Sequence, residues 1–522
     1  MQIRIAHAND WLYPDSPFPA TPSPAIEILA ARGSYAAVQV LVRGSGPFSW
    51  LLEGNAELAD ALEVFRLRDV PVRRNSAAAP WVTRPAPFRV YEVLEPLPER
   101  RTESSTPVTA FYLRWAIPAD CEPGLYSCRL RLQAGTAEER LPLCIEVSAA
   151  VVPATRSIAV TNWFNLNLMA SYHDLEPWSE AHWAMIESYA RLMHEARQTH
   201  FWIPFSLVGI GGSPEAPEFD FSRVERLIRL FLDIGLTGIE GGHIAGRVSW
   251  KNSVQHSLFA NREIMATSHE GYRFLVHFLG AWRRFLEEHG WYDLLIQHIA
   301  DEPIERSAAD YRILAGIVRK LLPGVPLIDA VMYEELAGAL DIYVPTSKGF
   351  SDYRAYCEGI RTSGDQLWFY TCLHPTGPWL NRFIDTPLLN TRLLHWSHHV
   401  YGLEGYLHWG FNMFQNGEDA FEQTNPEHGE DRVLLPSGDS HIVYPGRGEA
   451  WRSLRLEAMR SGLEDCELLF EVAAHDRAEA DRIAALVFRG FDDAEKDLAV
   501  FEAARRELLD AAASRQTINL TP

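Results

Sequence analysis

The chain has 522 residues, 47% hydrophobic and 22% charged, the balance of a folded globular protein. Its 48 basic residues against 69 acidic ones leave a formal charge of −21, which excludes an ordinary polyanion binder, because nucleic-acid binding rests on Lys and Arg neutralising phosphates. No uninterrupted apolar run reaches membrane-spanning length, and MQIRIAHANDWLYPD lacks the layout of a signal peptide, so a cytoplasmic protein with no membrane partner is expected.

Residues 1–152 read as β structure. YAAVQVLVRG, PFRVYEVLEP, TAFYLRWAIP, GLYSCRLRLQAG and RLPLCIEVSA alternate apolar and polar positions between Gly and Pro punctuation. The pattern predicts an N-terminal antiparallel β-sandwich ending near VVPATRS. The six cysteines form no CxxC pair, and reduced thiols are expected, although Cys121 and Cys128 are spaced to meet across a hairpin.

From residue 153 the texture changes. Eight apolar runs alternate with amphipathic stretches: IAVTNWFNLNL, HFWIPF, LTGIEGGHI, LLIQHIADEP, VPLIDAVM, LDIYVPTS, LWFYTCLHP and GLEGYLHWGFN. Eight strand–helix units predict a (β/α)8 TIM barrel over 153–475, an α/β fold. An open doubly wound sheet competes, but no GxGxxG or Walker loop follows an early strand. The fifth unit is degenerate, since only YEELAGAL follows its strand. A polar loop from Asn412 to Gly446 precedes the last barrel helix, and 476–522 is expected to pack outside as a helical extension.

Barrel active sites lie at the C-terminal ends of the strands, which turns the strand list into a residue list. Trp163 ends the first strand, Glu240 and His243 the third, Asp301 and Glu302 the fourth, Tyr333 the fifth, Tyr370 the seventh, and Trp409 and Asn412 the eighth. An acid pair among aromatics, hydroxyls and amides suits a carbohydrate. Trp409 and Trp163 offer stacking faces, Asn412 a bond to a ring hydroxyl, and Tyr370 or Tyr333 a hydroxyl for an acetamido oxygen. Asp439 and Tyr444, in GDSHIVYPG, are candidates for a lid. His298 and the histidines near 395–408 raise the question of a metal, but no early HxH strand motif is present. Neither metal nor cofactor is expected.

Adjacent carboxyls raise each other's pKa, so one can hold a proton while the other stays ionised. Glycosidases with two carboxylates place them on opposite faces of the sugar, about 5 Å apart or more. Neighbours on one strand straddle a ring poorly. They are better suited to a substrate whose own 2-acetamido group attacks the anomeric carbon, with Glu302 protonating the leaving oxygen and Asp301 holding the acetamido group. The bland alternative is a helix cap, in which Asp301 or Glu302 favours a helix starting near Ile304.

HIADEP, LWFYTCLHP, FIDTPLLNTRLLHW, GLEGYLHWGFN, GDSHIVYPG and SLRLEAMRSGLEDCELL together resemble glycoside hydrolase family 123 over about residues 85–470. The resemblance implies a β-sandwich followed by a barrel and a retaining, exo-acting β-N-acetylgalactosaminidase. Asp301 and Glu302 take the places of the family's acetamido-orienting Asp and acid/base Glu. Arg455, Glu457, Arg460, Glu464 and Asp465 match as well, but their helical spacing suits structural ion pairs. Two alternatives stand beside this reading. One is a carbohydrate-binding scaffold without chemistry. The other is a glycosidase for a sugar lacking the acetamido group, with Glu240 as the opposing carboxylate.

Overall fold

All eight apolar runs form short parallel strands: β1 (Ala159–Asn162), β2 (His200–Ile203), β3 (Gly238–Gly241), β4 (Leu295–His298), β5 (Leu327–Ala330), β6 (Ile342–Val344), β7 (Gln366–Tyr370) and β8 (Gly405–His408). The computed structural model describes residues 2–20, 25–249, 254–331, 334–429 and 431–518. Neighbours from β2 to β8 pair in sequence order, and β8 pairs with β1. Between β1 and β2 the Thr199 amide donates to the Val160 carbonyl at 3.0 Å, and the Val160 amide donates to Thr199 Oγ1 at 2.8 Å. The barrel is therefore nearly closed.

Ile296, Ile328, Ala330, Ile342, Val344, Trp368 and Leu407 form one buried cluster that fills the barrel, and Tyr370 and Trp163 adjoin it. The outer faces of the strands meet amphipathic helices such as Glu180–Glu195 and His269–Glu288. Their starts are fixed by Ser179 and Ser268, whose hydroxyls accept from amides three residues on. After β5 a 3-10 turn, Glu334–Leu336, replaces the usual helix. Two hairpins, Gly209–Ser213 with Ala216–Asp220 and Ala245–Arg247 with His256–Leu258, rise from the loops after β2 and β3.

The N-terminal residues build two sheets. A five-stranded sheet contains Ile26–Arg32, Gly46–Glu53, Arg101–Ser104, Gly124–Ala134 and Ala137–Val151. Ile26–Arg32 runs parallel to Ala137–Val151, so the expected all-antiparallel pairing fails at that edge. The second sheet has seven strands, of which two, Tyr444–Pro445 and Ala450–Ser453, come from beyond β8. Val38, Val40, Phe111 and Leu113 of the larger sheet share a core with Trp50, Leu52, Leu130 and Leu132 of the smaller. All six cysteines are free.

The larger sheet turns its other face to the barrel, where Leu67, Tyr91 and Val93 pack with Ile384, Leu388, Trp451 and Leu454. Arg455, fully buried, welds the two bodies. It donates to Glu92 at 2.7 Å and to the carbonyls of Arg382, Gly438 and His441 at 2.6–2.9 Å. Arg460 pairs with Glu457 and Glu464 on the same helix, as the spacing predicts. Helices Arg477–Val487 and Leu498–Ile518 follow, and Phe501 and Leu508 enter the barrel's outer core. No helix among the described residues is long and apolar enough to cross a membrane.

Candidate active site

β4 ends at His298, and the chain then turns sharply. Glu302 has φ +41°, a left-handed conformation that a residue with a Cβ rarely adopts. Pro303 follows and cannot extend the strand. The turn leaves Asp301 and Glu302 half-buried at the top of the barrel. They cap no helix: the Ile304 amide donates to Ser307 Oγ at 3.1 Å, and the next α-helix starts at Ala308.

The Tyr370 hydroxyl, at the end of β7, donates to Glu302 Oε1 at 2.5 Å. Tyr370, expected beside the sugar, is thus in direct contact with the acid pair. Burial pushes the Glu302 carboxyl up, the neighbouring Asp301 charge pushes it further, and the Tyr370 bond opposes both. Asp301 is raised too: burial dominates, His243 opposes it, and Asp329 reinforces it. Two interacting carboxyls of this kind titrate as one unit. Asp301 opens on a cavity of about 290 Å³ lined by His243, Arg247, Ser257, Phe259 and Arg262.

Beneath the pair lies a charged chain. His298 Nδ1 is 2.6 Å from Asp329 Oδ1, and its Nε2 is 2.7 Å from Glu240 Oε1. Burial disfavours the ring's charge, but Asp329 and Glu240 outweigh it and lift His298 to about 10. Each ring nitrogen thus faces a carboxylate. His243, His298 and Asp329 offer ligand atoms within 4.8 Å of one another, the spacing of a metal site. Both His298 nitrogens already face carboxylate oxygens, at 2.6 and 2.7 Å, so the ring as it stands is engaged in an ion pair on each side.

Glu240 is not an opposing carboxylate. It is fully buried and accepts from Trp163 Nε1 at 2.7 Å and from the Thr161 hydroxyl, besides its bond to His298. Asn412, expected to bond a sugar, is fully buried as well. Its Oδ1 accepts from the Asn165 amide at 2.8 Å and its Nδ2 donates to the Asn165 carbonyl at 3.0 Å, so it ties the β8 loop to the β1 loop. Tyr333 lies outside the described residues. Trp163 keeps a half-buried face, its ring 4.7 Å from Trp202 and 5.4 Å from His243. His243 reaches toward Asp329, with Nε2 3.4 Å from Oδ1.

Trp409 is half-buried at the end of β8, and its ring centre lies 4.9 Å from that of His428. Its indole N–H donates to Asp439 Oδ2 at 3.2 Å. Asp439 is fully buried, and burial pushes it up to about 7 despite Arg382 and the Trp409 bond. It anchors Trp409 from below and forms no lid. Tyr444 is no lid either: it is buried in the large sheet, 4.9 Å from His441. Asp329, Trp202 and the anchoring role of Asp439 escaped the sequence reading. The one available signal for Asp329 was an aspartate inside the apolar run VPLIDAV.

Residues 163–472 match the family model described as "Glycoside hydrolase 123, catalytic domain", which spans more than half of the chain. No curated protein matches the sequence. Among solved structures, the fold is similar to that of a family 123 glycoside hydrolase from Clostridium perfringens, studied for glycolipid glycan hydrolysis. The TM-score is 0.73 at 14% identity, covering 99% of this chain and 97% of that one. A β-D-glucuronidase from Dictyoglomus thermophilum gives a TM-score of 0.38 at 11% identity, covering 84% and 68% of the two chains. β-Glucuronidase 3 from Bacteroides uniformis gives 0.33 at 11% identity, covering 89% and 52%.

Proposed function

The chain belongs to glycoside hydrolase family 123, and from that premise we propose that it releases a terminal β-linked N-acetylhexosamine, N-acetylgalactosamine first, by exo-acting, retaining, substrate-assisted hydrolysis. Protonated Glu302 donates to the glycosidic oxygen as the bond to the leaving group breaks. Ionised Asp301 accepts the acetamido N–H and turns the carbonyl oxygen toward the anomeric carbon. That oxygen closes a five-membered oxazolinium ring, whose developing positive charge Asp301 stabilises. Water then attacks the anomeric carbon, with Glu302 taking its proton and the acetamido group restored. Two inversions retain the β configuration. A glycoconjugate of the glycolipid kind is the natural first substrate to try, given what the Clostridium perfringens enzyme acts on.

One observation carries this reading. The two titratable carboxyls at the rim sit side by side, while Glu240 is tied up below by three donors. A nucleophile from the opposite face must then come with the substrate. The test is a panel of 4-nitrophenyl glycosides assayed with and without a thiazoline that mimics the cyclised sugar. The 2-acetamido β-glycosides should be turned over and the thiazoline should inhibit competitively. Turnover confined to sugars without the acetamido group, indifferent to the thiazoline, would refute the proposal.

Trp409 supplies a stacking face for the sugar, and Asp439 sets its angle. Losing one net hydrogen bond is worth about 0.5–1.5 kcal/mol, or roughly two- to tenfold in binding. Asp439→Ala is therefore expected to raise KM by about that factor with kcat little changed. Steady-state kinetics on the preferred glycoside checks it, and a loss confined to kcat would assign Asp439 a chemical role instead.

A further inference from the structure

Asp329 is fully buried on β5, yet nearly all of its bonding is directed at β4 and its exit. Oδ1 meets His298 Nδ1 at 2.6 Å. Oδ2 accepts from the amides of Ile299 and Ala300 at 2.9 and 3.1 Å, and from the Tyr311 hydroxyl. Those amides are the last two before Asp301. A carboxylate in an apolar strand is costly unless it is paired and hydrogen-bonded. Here three of its bonds, to His298 and to the Ile299 and Ala300 amides, serve the strand exit that carries the acid pair.

The left-handed Glu302 explains why such a clamp is useful. A strained backbone persists only where its surroundings over-determine it. Pro303 restricts the chain on one side of Glu302, and the Asp329 clamp fixes it on the other. The same carboxylate holds the His298 ring, whose far nitrogen meets Glu240, which in turn accepts the Trp163 indole N–H at 2.7 Å. One chain of contacts thus joins the stacking ring, the interior charges and the backbone of the pair.

On the reading that Asp301 and Glu302 are the reacting carboxyls, we propose that Asp329 is a positioning residue for the reaction, clamping the Ile299–Ala300 backbone and registering Trp163 to the acid pair through His298 and Glu240. Asp329 touches no substrate. Its contribution is the geometry of groups that do. Displacing a catalytic group by about 1 Å can cost about 100-fold in rate. The loss should fall mainly on kcat, because Trp409, held by Asp439 outside this chain of contacts, still presents its face to the sugar.

The test compares full-length Asp329→Asn with the wild type, Asp301→Asn and Glu302→Gln on an alkyl 2-acetamido-2-deoxy-β-galactoside, whose poor leaving group depends on the general acid. Asp329→Asn is expected to lose about 10- to 100-fold in kcat with KM within about threefold. The confinement of the loss to kcat is the readout that a merely structural role would not give. Should that variant fail to fold, Tyr311→Phe, which removes one bond to Oδ2 and keeps the charge, should still lower kcat several-fold at unchanged KM. Wild-type kcat in either folded variant, while Glu302→Gln is inactive, would overturn the clamp and leave the proposed function standing. Full activity in Glu302→Gln would overturn the function and the clamp together. Loss of activity on dialysis against EDTA, restored by zinc, would replace the ion pair with a metal site and overturn the inference.

Discussion

Glu302→Gln lowers kcat by about 10²- to 10⁴-fold on an alkyl 2-acetamido β-glycoside, the range that a positioned general acid contributes. The loss is smaller on an aryl glycoside, because a leaving group of low pKa departs with little proton donation. Gln keeps the carbonyl oxygen that accepts from Tyr370 at 2.5 Å, so the side chain stays in place and only the proton is lost. Stability should move the other way. Burial raises the Glu302 pKa, and Asp301 raises it further. A group whose folded pKa is raised contributes stability below its unfolded value and loses it as pH rises through the folded one. The amide removes that loss, so at pH 8 the variant should melt no lower than the wild type. A variant with wild-type kcat, or one inactive only because it unfolds, would remove Glu302 from the chemistry.

The barrel was legible because each strand is a short apolar run and helices such as Glu180–Glu195 and His269–Glu288 carry a 3.6-residue stripe, patterns that survive without any contact information. The acid pair was legible for the same reason: HIADEP breaks an apolar run at a known place in a known architecture. What was missed depends on depth, which strand-end position does not encode. Glu240 and Asn412 stand near their strand ends as sugar-binding residues would, yet both are fully buried and bonded to protein. Asp329 looks like an interruption of VPLIDAV, and its purpose appears only when β4 lies beside it. The large sheet was missed in part for another reason. Tyr444–Pro445 and Ala450–Ser453 are too short to show a period, and they join strands more than 340 residues earlier in the chain.

Asp301→Asn should cost about 10²- to 10³-fold in kcat, the magnitude of removing one preorganised group that faces charge developing in the transition state. Asn still offers a carbonyl oxygen to the acetamido N–H, so ground-state binding changes little. What disappears is the negative charge that balances the oxazolinium ion. The pH profile separates this from a simple loss of shape. Wild-type kcat/KM should be bell-shaped: Asp301 must be ionised and Glu302 protonated. Burial, opposed by His243 and aided by Asp329, raises Asp301, so the acid limb lies above the ordinary aspartate range. Glu302 is also raised, and the ionisation of its neighbour moves it further, so the alkaline limb lies above the ordinary glutamate range. Asp301→Asn should erase the acid limb, and it should also move the alkaline limb downward, because the neighbouring charge that held the Glu302 proton has gone. Fluorinating the acetamido methyl weakens the internal nucleophile, and wild-type turnover should fall with each fluorine added. An unchanged acid limb in Asp301→Asn, or rates indifferent to fluorine, would mean that the attacking group does not come from the sugar.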